Sequence, residues 1–114
     1  MKTAIVTDST AYLSPHTRKE LTIQMIPLTV TFNGAAFDEE IDISSDEFYD
    51  KVRGDGPLPK SSQPSIGKFV ELFESLSKEN DAVISIHLSS GISGTIAGAE
   101  QAGKMVEGLD VRVF

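Results

Sequence analysis

Three hydroxyl-rich clusters hold most of the side chains in this sequence that could do chemistry: Thr7-Asp8-Ser9-Thr10, Ser61-Ser62-Gln63-Pro64-Ser65, and Ser89-Ser90-Gly91-Ile92-Ser93-Gly94-Thr95. Hydroxyl groups are neutral donors that also accept, so they suit a ligand whose charge must be satisfied without a full counter-charge. The second and third clusters stand where helices are expected to begin. Helix starts offer unpaired backbone N–H groups and a partial positive charge, which together favour an anion such as a carboxylate or phosphate. Taken singly, each serine reads better as a helix cap or turn residue than as a ligand contact. The grouping of three clusters favours a ligand site.

Established catalytic patterns fit poorly. Gly91-Ile92-Ser93-Gly94-Thr95 approaches the nucleophile elbow G-x-S-x-G, but Thr95 stands where the last glycine is required. A triad of Ser93, His87 and Asp8 can be written down, yet a lone histidine in an apolar strand reads as a core residue. A phosphate loop needs a lysine that follows neither Gly94 nor Gly98, and no G-x-G-x-x-G is present. The acidic stretch Asp38, Glu39, Glu40, Asp42, Asp46, Glu47 and Asp50 lacks the spacing of a calcium loop and reads as a solvated face with favourable helix-start charges, a docking surface for a basic partner being the alternative. No metal site or cofactor is expected, and no catalytic residue is assigned.

The elements that must position these clusters follow from periodicity. Ala4-Ile5-Val6 is a buried strand opening into the first cluster. Ser14-Pro15 predicts a cap and first turn for a helix ending at Leu21, and Ile23 to Met25 a second strand. Leu28, Val30 and Phe32 alternate with threonines before Asn33-Gly34, predicting a hairpin that returns through Ala35 to Asp38. Ser44 and Glu47 form a capping box, with Ile43 and Phe48 as a hydrophobic staple, for a helix over about 45–53. Gly54 to Pro59 breaks that helix. Ile66, Phe69, Val70, Phe73 and Leu76 follow helical spacing, predicting an amphipathic helix entered from Ser65. Ala82 to Leu88 reads as a buried parallel strand, Ser89 to Ile92 as a turn, and about 93–107 as a helix rich in small residues, closed by Gly108. Val111 to Val113 is the last strand. The fold class is α/β: an open, largely parallel sheet flanked by helices, with a β-hairpin insertion.

Composition bounds the function. Ten Lys plus Arg against seventeen Asp plus Glu give a net charge of −7, which disfavours nucleic acid and acidic membranes. The absence of cysteine excludes disulfides and thiolate metal sites. The N-terminus has no long apolar core of a signal peptide, and no run reaches membrane-spanning length, so stable membrane insertion is not expected and a cytoplasmic location is the default. The strand-like ending Asp110 to Phe114 reads as that of a fragment.

In that order and over nearly the whole chain, the three clusters resemble the DegV family of bacterial fatty-acid-binding proteins. The resemblance implies that residues 1–114 are the N-terminal α/β domain of a two-domain fold, cut short at its C-terminal end, with the C-terminal domain absent. It implies a non-enzymatic carrier that binds a long-chain fatty acid and presents the carboxylate to a separate ATP-binding fatty acid kinase subunit. Carried over position by position, it places the carboxylate contacts on Ser61, where the family usually has threonine, and on Ser93. Asp8, Ser9, Ser62, Gly94 and Thr95 become supporting loop residues. The family's arginine and histidine partners lie later in a longer chain, and neither Arg112 nor His87 takes their place. Apolar walls would come from faces such as Ile92, Ile96, Val30 and Phe32. The alternatives are a serine hydrolase or phosphoryl-handling enzyme using Ser93, or a structural α/β domain whose serines are caps.

Overall fold

The strand β1 spans Thr3–Asp8 and becomes fully buried toward its carboxyl end, where Val6, Thr7 and Asp8 lie inside. It runs two residues further than the apolar triplet predicts, because Thr7 and Asp8 keep pairing with the neighbouring strand, and the chain turns only at the 3-10 helix Ser9–Ala11. The computed structural model describes residues 2–32, 34–39, 41, 42, 44, 46, 47, 50, 53, 54, 60–87 and 94–114.

Helix α1, Pro15–Leu21, starts as expected: the Ser14 hydroxyl accepts from the Thr17 N–H and proline fills the first helical position. Strands β2 (Ile23–Ile26), β6 (Ala82–Ile86) and β7 (Asp110–Val113) join β1 in a wholly parallel sheet of order β2-β1-β6-β7. The register pairs Ile5 with Ile23 and with Ile84, and Ile84 with Arg112. Parallel strands need crossover connections, supplied by α1 between β1 and β2 and by α3, Thr95–Met105, between β6 and β7.

A second, antiparallel sheet has the order β4-β3-β5, with β3 at Thr29–Phe32, β4 at Ala35–Asp38 and β5 at Lys60–Ser62. The hairpin of β3 and β4 is the one expected, with Gly34 at positive φ in its turn. Strand β5 corrects the sequence reading, which left Ser61 and Ser62 in a loop. Three polar residues carry no strand signature of their own, and β5 exists because the open edge of β3 satisfies its backbone, Val30 facing Ser61.

The Ser44–Glu47 capping box is present, the Glu47 N–H donating to the Ser44 hydroxyl over 3.2 Å. The staple residues Ile43 and Phe48, most of the connection after Gly54, and the turn from Ser89 to Ile92 lie outside the described residues, as does much of the helix expected over 45–53. Helix α2, Ile66–Ser77, has the predicted cap at Ser65 and buries Phe69 and Phe73. These rings meet Val6, Ile26, Val83, Ala99, Ala102, Val106 and Leu109 in one core, where α2 packs on α3. The small residues of α3 also permit its close approach to β7: a Cβ added to Gly103 would stand 2.9 Å from Val111 Cβ. Gly108, at positive φ, follows the end of α3 as expected.

Candidate functional site at the sheet switch point

From β1 the chain moves outward to β2, and from β6 it moves outward in the opposite direction to β7. The order therefore reverses between β1 and β6, and the region beyond the carboxyl ends of strands at such a reversal is where open α/β sheets take ligands. Asp8 ends β1, and His87 follows the last residue of β6.

Across that point His87 Nδ1–H donates to Asp8 Oδ2 over 3.0 Å, and both side chains are closed to solvent. The other ring nitrogen, Nε2, is hydrogen-bonded to the hydroxyl of Ser85, which is also buried. The edge of the Phe69 ring meets the imidazole at a centroid distance of 5.3 Å, fixing the plane in which both ring bonds form. Asp8 Oδ1 meanwhile accepts from the Thr10 N–H at 2.9 Å and from the Thr10 hydroxyl, so one carboxylate holds both the turn after β1 and the imidazole beyond β6.

Aspartate, imidazole and serine in this order have the connectivity of a hydrolase triad. The serine is Ser85, however, which faces the interior of a central strand at 0% exposure. A nucleophile must meet its substrate, so this chain of bonds serves to fix the ends of two strands. The sequence reading of His87 as a core residue is thus half complete. It is buried, but it lies one residue beyond the strand and is held by two named partners.

The expected site residues separate into distinct environments. Ser9 is buried, and its hydroxyl accepts from the Leu28 N–H at 3.0 Å, pinning the first loop to the segment that enters the second sheet. Thr95 is buried at the first turn of α3, while Gly94 is exposed and caps that helix without a side-chain bond. Ser61 and Ser62 are exposed on β5. Ser93 and Ile92 lie outside the described residues. Val30 is fully buried, and Phe32 and Ile96 are half-buried. Ser65 is a cap, as its Oγ accepts the Lys68 N–H at 3.2 Å.

Sequence reasoning missed Gln63. Its side-chain amide lies where a side chain of Gly94 would begin, a Cβ there standing 2.3 Å from Oε1. The acidic stretch does contribute one tie between the second sheet and a helix, an ion pair of 2.9 Å between Asp38 of β4 and Lys68 of α2.

A parallel sheet with helical crossovers and a buried carboxylate at its switch point defines the class as an open α/β fold. The sequence profile of the DegV family, described as uncharacterised protein, matches residues 2–114, and the chain belongs to that family. It is 55% identical over 111 residues to a DegV domain-containing protein of Halalkalibacterium halodurans, covering 96% of this chain and 39% of that protein. Protein DegV of Bacillus subtilis is 50% identical, with 100% of this chain and 41% of that one covered. The chain thus spans about two fifths of the length of these curated relatives. The crystal structure of DegV, a fatty acid binding protein from Bacillus subtilis, superposes with a TM-score of 0.96 over 100% of this chain and 40% of its own. A DegV family protein from Thermus thermophilus, solved in a study of its fatty acid binding, gives 0.90 at 35% identity, with coverage of 100% and 40%.

Proposed function

We propose that this chain is the N-terminal α/β domain of a two-domain carrier that binds a long-chain fatty acid and takes no part in catalysis itself. The observation that carries the reading is the likeness, over all 114 residues, to a fatty acid binding protein at 50% identity and a TM-score of 0.96. The sheet switch point gives it a physical basis. Burying an acyl chain is worth about 0.8 kcal/mol per methylene, so a long chain supplies most of the affinity. The carboxylate then needs hydrogen-bond donors to offset the loss of water.

In this reading Ser61 and Ser93 donate to the carboxylate. Ser62, Gly94 and Thr95 shape the two loops, and Asp8 and Ser9 form the floor of the crevice. The −7 net charge leaves the anion dependent on local hydroxyls and helix ends, together with basic groups from a C-terminal domain. The carrier presents the carboxylate to a separate ATP-binding kinase subunit that phosphorylates it, and it works in the cytoplasm.

The test is palmitate binding by the full-length protein. Ser61→Ala and Ser93→Ala should each weaken it while leaving the fold intact, and acyl phosphate should form only when the kinase subunit and ATP are added. Unchanged affinity in both variants would remove the serines from the site. Ester turnover abolished by Ser93→Ala would favour the hydrolase alternative instead.

A further inference from the structure

Phe114 continues the pairing of β7 with β6 by one residue: its N–H donates to the Ser85 carbonyl and its carbonyl accepts from the His87 N–H, each over 2.8 Å. Phe114 therefore stands beside Ile86. Side chains alternate along a strand, so Ile84, Ile86, Arg112 and Phe114 share the face opposite to Val83 and Val111. Val83 belongs to the core under α2 and α3, and Val111 packs against it. The opposite face stays open, with Ile86 48% and Phe114 65% exposed. The handedness of the connections explains this. The step from β1 to β2 runs one way and the step from β6 to β7 the other, so right-handed crossovers put α1 and α3 on opposite faces. Helix α1 packs on β2, and its Arg18 shares a cleft with Thr7 and Met25. Its cover does not extend to β7. A strand added outside β7 would lay its helix on the α3 side again and leave Ile86 and Phe114 open.

We infer that the strip formed by Ile84, Ile86 and Phe114 is the seat of an amphipathic helix supplied by the polypeptide beyond Phe114, which turns back over the sheet instead of adding a strand outside β7. The inference rests on the two-domain reading given above. The chain spans about two fifths of the length of its curated relatives, so a two-domain protein has ample chain to supply such a helix. At Phe114 the backbone is still paired at the carboxyl end of β7, directly beside the strip. A covalently linked segment leaving from that point has an effective concentration that a separate partner does not match. The chemistry of the strip fits the same occupant. Arg112 is already paired with Asp110 on its own strand, so the surface offered is apolar and asks for apolar residues at helical spacing.

The experiment places the photo-crosslinking amino acid p-benzoylphenylalanine at position 114 of the full-length protein and identifies the captured peptide by mass spectrometry. The expected product is a crosslink within one polypeptide, its yield unchanged on dilution, to a peptide beyond residue 114 with apolar residues at helical spacing. A crosslink between two polypeptides, to added palmitate, to residues 1–113, or to a peptide without that spacing overturns the inference, as does no crosslink. A second measurement guards against a local effect of the probe. Ile86→Thr, which keeps a β-branched side chain, should lower the melting temperature of the full-length protein by about 5 °C or more. Met105→Gln, at a residue 59% exposed outside the strip, should leave it nearly unchanged. Wild-type melting in Ile86→Thr overturns the inference. Palmitate binding by the unaltered protein separates the two readings: binding without the expected crosslink removes only the helix seat, and the crosslink without binding removes only the carrier.

Discussion

His87 Nδ1 and Asp8 Oδ2 meet at 3.0 Å across the switch point of the parallel sheet, although 79 residues separate them in sequence. The bond fixes the carboxyl ends of β1 and β6 relative to each other, and the 3-10 helix Ser9–Ala11 departs directly from the end of β1. Removing the carboxylate leaves a buried ring N–H without its acceptor. Asp8→Ala should therefore destabilise the protein by about 1–3 kcal/mol or more, while Asp8→Asn, which keeps an acceptor oxygen, should cost less. Urea denaturation of the two variants measures the difference, and equal losses would contradict the assignment.

Helix α3 lies against β7 through Gly103, where the nearest side chain is the branched carbon of Val111. That atom is close to the backbone and cannot swing aside. Gly103→Ala should lower stability by about 1–3 kcal/mol through overpacking, and Val111→Ala added to it, which removes Cγ1 and Cγ2 at 3.0 and 3.3 Å but keeps Cβ, should recover part of the loss. Thermal melting of the single and double variants checks this, with simple addition of two losses as the contrary result. Gly94→Ala in the same measurement should be far milder, since its neighbour is a side-chain tip.

The serines of the second cluster divide by role. Ser65 caps α2 through the Lys68 N–H, so Ser65→Ala should cost about 1 kcal/mol in stability. Ser61 is exposed on the short edge strand β5, so Ser61→Ala should fall within about 0.5 kcal/mol of wild type. Chemical denaturation of both variants distinguishes them. A large loss for Ser61→Ala would make that hydroxyl a structural element.

Much of this was legible in the sequence because it rests on local rules. The caps at Ser14, Ser44 and Ser65, the β3–β4 hairpin and the apolar face of α2 each follow from spacing within a few residues. Strand β5 was not legible, since Lys60-Ser61-Ser62 has no apolar alternation and pairs only because β3 offers an edge. The Asp8–His87–Ser85 chain was half legible. Titratable residues at the carboxyl ends of two apolar runs are a signal, but only the sheet order makes those ends neighbours. Gln63 stands in the second hydroxyl-rich cluster, but its closeness to Gly94 joins residues distant in sequence, and no local pattern signals it.

The central claim is that the protein carries a long-chain fatty acid, and mass spectrometry of lipid extracted from the purified full-length protein tests it most directly. The account predicts long-chain fatty acid in near-equimolar amount, reduced by Ser61→Ala and Ser93→Ala. Protein that yields no fatty acid, and takes up none when palmitate is supplied, would contradict it.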